Sequence, residues 1–183
     1  MKKSLARKLS VFFAGIVFIT CLVLVGLTVM IFGNIEDRMK DVLYENTLQS
    51  YKTEVKSEVQ SAISSIEYYY NLSDSGKIDE ATAKKDALEA LRNLRYGDDD
   101  SGYFWVDDTD YNLVMHPILP EQEGTNRYDL TDKNGVKIIQ SIMKTAESGG
   151  GFNEFYFTKS DGKTVAPKVA YSQKFDKWNW VIT

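Results

Sequence analysis

The sequence predicts an α+β domain preceded by one membrane-spanning helix. Three observations lead to this prediction. Residues 9–33 are apolar and uncharged, residues 34–72 lack Pro and Gly and repeat apolar side chains at helical spacing, and aromatic and β-branched residues recur after Gly102. Two helices, two strands, a helix and three strands follow in that order. We expect these strands to form an antiparallel five-stranded sheet with helices on one side.

The first segment, residues 9–33, is long enough to cross a bilayer as a helix. About 20 apolar residues, each rising about 1.5 Å, span the hydrocarbon core. The segment is longer than the apolar stretch of a cleaved signal peptide, so we expect an uncleaved anchor. Cations before a membrane helix favour the cytoplasm, which places residues 1–8 inside and residues 34–183 outside. These cations are Lys2, Lys3, Arg7 and Lys8.

Composition argues against several kinds of partner. All 26 acidic residues follow residue 33, whereas four of the 22 basic residues precede residue 9, so residues 34–183 are acidic. Nucleic acid is therefore not an expected partner, because phosphate contacts require Lys and Arg. The single Cys, Cys21, lies in the apolar segment and the chain has one His. We expect no disulfide, no metal site and no cofactor.

Residues 34–72 predict one long helix with a continuous apolar stripe. The later half of this helix is expected to pack on the sheet of its own domain. The membrane-proximal half is expected to contact a second copy of the chain, which predicts a homodimer. The stripe consists of Leu48, Tyr51, Val55, Val59, Ala62, Ile66 and Tyr69.

Two shorter helices and a charged loop follow. The second helix is expected over residues 79–96, with Gly97 just past its end. The third is expected to begin at a cap provided by Thr131 or Asp132 and to end near residue 147. Residues 98–100 are three adjacent Asp residues. A calcium loop requires alternating ligands and a distal Glu, and neither is present here, so we expect a solvated turn.

Strand propensity and turn residues define five strands. Aromatic and β-branched residues favour strand, and Asp- and Gly-containing turns separate the members of each hairpin. The expected strands are 103–106, 112–116, 152–158, 163–174 and 178–183.

Seven short stretches within residues 34–183 occur in an order known from one family. They are Leu-Arg-Asn-Leu-Arg-Tyr-Gly at 91–97, Gly-Tyr-Phe-Trp-Val at 102–106, Met-His-Pro at 115–117, Gly-Thr-Asn at 124–126, Gly-Gly-Gly-Phe at 149–152, Pro-Lys-Val-Ala-Tyr at 167–171 and Trp-Asn-Trp-Val-Ile at 178–182. In this order they resemble the single Cache domain, the PAS-like extracellular sensor of bacterial chemoreceptors and sensor kinases. Family members usually continue into a second membrane helix and a cytoplasmic signalling module. We therefore expect this sequence to be a piece of a longer protein, truncated before that second helix.

The resemblance implies a small organic ligand, often a short carboxylate such as acetate, propionate, lactate or pyruvate. Such an anion requires a cation or several donors, together with aromatic walls that exclude water. Core packing is the alternative for Tyr103 and Trp105, and a satisfied position in the sheet is the alternative for His116. For Arg92 and Arg95 the alternative is a favourable interaction with the dipole at the end of the second helix. Lys168 and Tyr171 are three apart, so a regular strand would direct them to opposite faces unless a bulge intervenes. The candidates are Tyr103, Trp105, His116, Lys168, Tyr171, Arg92 and Arg95.

These observations give a functional hypothesis: the chain is the sensor region of a methyl-accepting chemotaxis protein in the bacterial inner membrane. The sensor domain would lie outside the cytoplasm and bind a short carboxylate. We expect no catalysis, because the chain lacks a Gly-x-Ser-x-Gly motif and a phosphate-binding glycine loop. Two alternatives remain: the same sensor on a histidine kinase or diguanylate cyclase, and a dimeric membrane scaffold that senses nothing.

Overall fold

The computed structural model describes residues 2–183, apart from the side chains of residues 2–4 and 6. The side chains of Lys2 and Lys3, on which part of the orientation prediction rests, therefore lie outside the described residues. The chain divides into two compact units, Met1–Gln49 and Ser50–Thr183. Each is described separately below.

The first unit is helical and belongs to helix α1 (Lys2–Asp74). It contains a segment that is long and apolar enough to cross a membrane, by length and composition. The large apolar side chains of residues 9–33 are exposed, and the hydroxyls of Thr20 and Thr28 donate to the carbonyls of Ile16 and Leu24 (2.8 Å each). A surface of this kind suits lipid, because its polar groups are satisfied within the helix.

The second unit combines helices with a five-stranded antiparallel sheet, which confirms the predicted fold class. Beside the end of α1, its helices are α2 (Glu80–Asn93) and α3 (Ile138–Glu147). The strands are β1 (Val106–Asp108), β2 (Leu113–Met115), β3 (Gly151–Thr158), β4 (Val165–Phe175) and β5 (Trp180–Ile182). Their order across the sheet is β2-β1-β5-β4-β3.

Helices cover both faces of the sheet, so the prediction of helices on one side was wrong. Ile66 of α1 and Leu91 of α2 share an apolar core with Ile182. Ile139 of α3 shares a separate core with Val181. Neighbouring strand residues face opposite sides, so each face of β5 has its own helical layer. The sequence of β5 already indicates a strand that is covered on both faces, because its three residues are all apolar. The structure buries all three.

Helix α2 begins as predicted and ends three residues early. The side chain of Asp79 caps it by accepting a hydrogen bond from the Thr82 amide (2.9 Å). At the other end, Tyr96 pairs with Gly102 in an antiparallel bridge, with N···O distances of 3.2 and 3.0 Å. The chain must extend before residue 96 to form this bridge, which ends the helix at Asn93.

Helix α3 begins at Ile138, so the predicted cap at Thr131 or Asp132 was wrong. The carboxylate of Asp132 accepts hydrogen bonds from the amides of Asn134 (2.8 Å) and Val136 (2.9 Å). Gly135, at φ +84°, completes a turn. An Asx turn therefore uses the same side chain that would otherwise cap a helix.

Candidate functional site

A small cavity lies where β5 stops pairing with β4. Strand β5 pairs with β4 only over residues 173–175, and Thr183 then pairs with Trp105 through two backbone hydrogen bonds of 3.0 and 3.1 Å. The cavity occupies about 50 Å³. Four of the seven residues predicted to bind ligand line it: Tyr103, Trp105, Lys168 and Tyr171. Aromatic side chains from elsewhere in the fold complete the wall: Tyr96, Phe155 and Phe157.

Lys168 and Tyr171 both line the cavity without a bulge. The β3–β4 register runs without a shift from Gly151 opposite Ser172 to Thr158 opposite Val165. Val169 and Ala170 also line the cavity, so four consecutive residues contribute to it. This happens because the cavity lies along the edge of β4, where side chains of both faces and the backbone can reach it.

Lys168 brings a positive charge to the cavity. Its Nζ lies 4.8 Å from the centre of the Tyr103 ring, a distance suited to a cation–π contact. None of the ion pairs among the described residues includes Lys168. Burial, followed by the nearby charge of Lys159, lowers the pKa of Lys168. The charge of Asp161 acts in the opposite direction but forms no ion-pair contact, so this half-buried ammonium favours an anion beside it.

His116 is buried behind the rings of Tyr103 and Trp105, which form part of the cavity wall. Its imidazole stacks on Trp105 at 5.8 Å and 14° and lies 5.4 Å from the Tyr103 ring. Nδ1 accepts hydrogen bonds from the amides of Ile118 (3.1 Å) and Leu119 (3.2 Å). Burial, followed by the charge of Arg127, lowers the pKa of His116 to about 3, so the ring is neutral and carries its proton on Nε2. This buried Nε2 has no hydrogen-bond partner.

The single Cache domain 2 family matches residues 47–183. The chain belongs to this family. The sensor histidine kinase MctS of Rhizobium johnstonii is 33% identical over 150 residues, which cover 82% of this chain and 32% of that protein. The methyl-accepting chemotaxis protein McpP of Pseudomonas putida is 26% identical over 141 residues, which cover 76% of this chain and 26% of that protein. The chain therefore corresponds to a minor part of each relative.

Two solved structures share the fold of this Cache domain. One is the periplasmic sensor domain of a chemotaxis protein, with a TM-score of 0.70 and 32% identity, covering 74% of this chain and 93% of that one. The other is a Cache chemosensory domain described for its carboxylic acid recognition, with a TM-score of 0.70 and 25% identity, covering 75% and 93%. The chain therefore carries a sensor domain of chemotaxis receptors or sensor kinases, a non-catalytic ligand-binding module.

The two arginines predicted to bind ligand lie outside the lining of the Cache cavity. Arg92 forms a two-bond ion pair with Glu123, with N···O distances of 2.7 and 3.0 Å. Arg95 is exposed and donates to the carbonyls of Arg92 (2.9 Å) and Leu94 (2.7 Å). Arg95 therefore satisfies carbonyls at the end of α2, in agreement with the helix-terminus interaction that was the alternative to ligand binding.

A buried ion pair behind the cavity was missed by the sequence analysis. The Asp107 carboxylate accepts hydrogen bonds from Trp105 Nε1 (3.0 Å), Arg127 Nε (3.0 Å) and Arg127 Nη2. Burial raises the pKa of Asp107 to about 6, whereas Arg127 and Trp105 act in the opposite direction. The pair fixes the edge of the indole that forms the cavity wall. Its members lie 20 positions apart, and neither shows a periodic signal.

Gly102 leaves no room for a side chain at the cavity mouth. A Cβ added there would lie 2.5 Å from Cδ2 and 2.7 Å from Cζ of Tyr96. We expect Gly102→Ala to lower the free energy of unfolding by about 1–3 kcal/mol, because the Tyr96 ring must move. Urea unfolding followed by tryptophan fluorescence measures this change. Asp98→Ala on the same exposed loop is the control, and an equal loss in both variants would contradict the expectation.

Proposed function

We propose that residues 34–183 are the extracytoplasmic sensor of a transmembrane receptor and that the cavity binds a short-chain carboxylate. The observation that carries this proposal is Lys168, a half-buried cation that takes part in none of the ion pairs of the described residues and lines an aromatic cavity. An aromatic wall excludes water and strengthens the attraction between this ammonium and an anion.

The size of the cavity favours a ligand of two to three carbons. Each water-sized atom needs about 10–15 Å³ of cavity volume, counted as the space open to the centre of a sphere of that size. The observed volume of about 50 Å³ therefore holds only a few such atoms. Acetate and propionate are of this size, and the solved carboxylate-recognising neighbour supports the same class of ligand.

His116 supplies a second donor in this proposal. Its unpartnered Nε2–H is a buried polar group that costs free energy until an acceptor reaches it. A carboxylate oxygen that displaces the Tyr103 or Phe157 ring would provide that acceptor. The Phe157 ring lies 5.9 Å from the imidazole, and a shift of this side chain would bring the ligand to Nε2.

The receptor hypothesis also includes a topology and an assembly. Residues 9–33 would cross the inner membrane, with residues 1–8 in the cytoplasm and the Cache domain in the periplasm. Exposed residues of the first unit would contact a second copy of the chain in a homodimer: Ile35, Met39, Val42 and Thr47. A ligand changes such a receptor only by binding its two signalling states with different affinity.

Binding of a carboxylate is tested with the full chain in lipid nanodiscs. We expect propionate or acetate to raise the melting temperature of the domain, since a ligand at 100 times its Kd stabilises by about 2.7 kcal/mol. Propionamide, which has the same shape without the charge, is the matched control. Equal shifts with propionate and propionamide, or no shift with acetate, propionate, lactate or pyruvate at millimolar concentration, would overturn the proposal.

Topology is tested by labelling cysteines in intact cells. Cys21→Ala removes the single native thiol. We expect a membrane-impermeant maleimide to label Ser75→Cys, in an exposed turn, but not Ser4→Cys in the predicted cytoplasmic segment. The reverse pattern would place the domain in the cytoplasm and end the receptor interpretation.

The pH dependence of binding follows from the titration of the site. His116 stays neutral at neutral and mildly acidic pH because burial lowers its pKa to about 3. Burial also raises the pKa of Tyr103 to about 12, so this phenol stays neutral. We expect neither His116 nor Tyr103 to change the propionate Kd between about pH 5.5 and 7.5, since neither group titrates there. Asp107, whose pKa is raised by burial to about 6, is the group behind the cavity wall that titrates in this range. Calorimetry measures the Kd, and imidazole ¹⁵N signals of His116 that titrate over the same range would contradict the expectation.

Above this pH range, Lys168 determines how the affinity for propionate changes with pH, because burial lowers its pKa. Loss of its proton removes the charge that attracts the anion, so we expect affinity to fall as pH rises through this lowered pKa.

A further inference from the structure

We infer that Arg92 and Glu123 are positioning residues that hold His116 in the orientation needed for ligand binding. This inference rests on the proposed function, because it assigns His116 a role in binding the carboxylate. It gives Arg92 a different role from the direct ligand contact predicted from the sequence.

Both backbone polar groups of His116 are held by the Arg92–Glu123 pair. Glu123 Oε1 accepts a hydrogen bond from the His116 amide at 2.8 Å. The same oxygen accepts from Arg92 Nη1 at 2.7 Å, and Oε2 accepts from Arg92 Nη2 at 3.0 Å. Arg92 Nη1 also approaches the His116 carbonyl oxygen at 3.4 Å. The pair thus fixes the peptide groups on either side of the His116 Cα.

The imidazole ring is then constrained from its own side. Pro117 follows His116 and restricts the backbone of both residues. The amides of Ile118 and Leu119 hold Nδ1, and Trp105 stacks on one face of the ring. Every polar atom of His116 except Nε2 therefore has a partner. The one atom left without a partner is the one the proposal assigns to the ligand.

The position of the pair in the fold supports a positioning role. Arg92 lies in the last turn of α2, and its neighbour Leu91 is fully buried in the core shared with α1. The side chains of Arg92 and Glu123 are 30% and 26% exposed. A partly exposed pair contributes little to stability by itself. Its tight geometry is better explained by the loop residue that it holds.

The first test compares ligand affinity in two backgrounds of the full chain in nanodiscs. Arg92→Gln is expected to raise the Kd for propionate about 10-fold, because a misplaced donor loses much of its hydrogen bond. In a His116→Ala background the same change is expected to alter the remaining affinity less than about twofold, as required if Arg92 acts through His116. Lys85→Gln removes the same charge from an exposed position of α2 and is the matched control.

Two outcomes of this cycle would overturn the inference. One is an equal fold-change from Arg92→Gln in both backgrounds, and the other is no change in either. Arg92→Lys keeps the charge but loses the two-bond geometry, so we expect it to restore only part of the affinity.

The second test does not depend on any ligand. The chain contains a single histidine, so the imidazole ¹⁵N signals of a histidine-labelled sample belong to His116 alone. We expect the wild-type chain to show one tautomer with the proton on Nε2, and both Arg92→Gln and Glu123→Gln to give shifted or mixed tautomer signals. Unchanged signals in both variants would overturn the positioning role.

The two tests separate this inference from the proposed function. Absence of propionate binding to the wild-type chain counts against the ligand class, while the ¹⁵N spectra still decide the role of Arg92 and Glu123. If His116→Ala abolishes binding altogether, the spectra again decide.

Discussion

Replacing Asp107 with Asn is expected to lower the free energy of unfolding of the Cache domain by about 3–5 kcal/mol. Removing one member of a buried ion pair leaves the other charge without compensation. Arg127 is 4% exposed, and one of its guanidinium nitrogens, Nη1, already has no partner. The substitution would leave the whole guanidinium without its counter-charge. Urea unfolding measured by tryptophan fluorescence gives this free energy, because Trp105, Trp178 and Trp180 all lie in the second unit.

An exposed pair and a double substitution provide the controls. Asp129→Asn breaks the ion pair of Asp129 with Lys137, in which the two side chains are 87% and 46% exposed, and should cost less than about 1 kcal/mol. Removing both buried charges, with Asp107→Leu and Arg127→Met together, should recover most of the lost stability. Two results would contradict this prediction. One is a loss of stability in Asp107→Asn as small as that in Asp129→Asn, and the other is a double variant that is less stable than Asp107→Asn.

The same pair illustrates a limit of sequence reasoning. Apolar periodicity identifies elements, because it depends on residues three to four apart in a helix or two apart in a strand. The pairing of Asp107 with Arg127 spans 20 positions and depends on tertiary structure. In the sequence Asp107 stands beside Asp108, and two adjacent carboxylates resemble a solvated turn. Nothing local indicates that only the first is fully buried.

Two other positions also differ from what their local sequence indicates. Asp132 satisfies the pattern of a helix cap, but the Asn-Gly pair that follows makes a turn, and helix α3 begins only at Ile138. His116 stands before a proline at the end of a strand, where exposure is common, yet it is fully buried between aromatic rings. Burial of this residue depends on Trp105 and Phe157, which lie in other segments of the chain.

More of the residues that line the cavity could be predicted from the sequence than of the residues that hold this lining in place. Tyr103 and Trp105 are two apart on one segment, so their shared side followed from strand geometry. Lys168 and Tyr171 were both candidates, although strand alternation argued against their lining one site. The structure brings them together at the edge of β4 rather than on a face. Alternation describes faces, so it cannot indicate which residues meet at an edge.

Replacing Lys168 with Met is expected to raise the Kd for propionate about 10- to 100-fold. A charge-assisted hydrogen bond or ion contact contributes about 1.5–3 kcal/mol, and each 1.4 kcal/mol changes affinity about tenfold. Methionine keeps an unbranched side chain of similar length, so the cavity shape is largely retained. Lys163→Met, at an exposed position of the same hairpin, should leave the Kd within about twofold. Calorimetry with the full chain in nanodiscs measures both.

The stability of the Lys168→Met variant makes this prediction specific for ligand binding. Burial lowers the pKa of Lys168, which means that the folded domain disfavours its charged form. Removing the amine should therefore leave the free energy of unfolding unchanged or raise it slightly, while affinity falls. A residue kept only for packing would not lower affinity when replaced by an apolar side chain of similar length. The prediction is contradicted if Lys168→Met loses stability and affinity in parallel, or if it binds propionate as tightly as Lys163→Met. Lys168 would then not be a ligand-binding residue, and the main support for an anionic ligand would be lost.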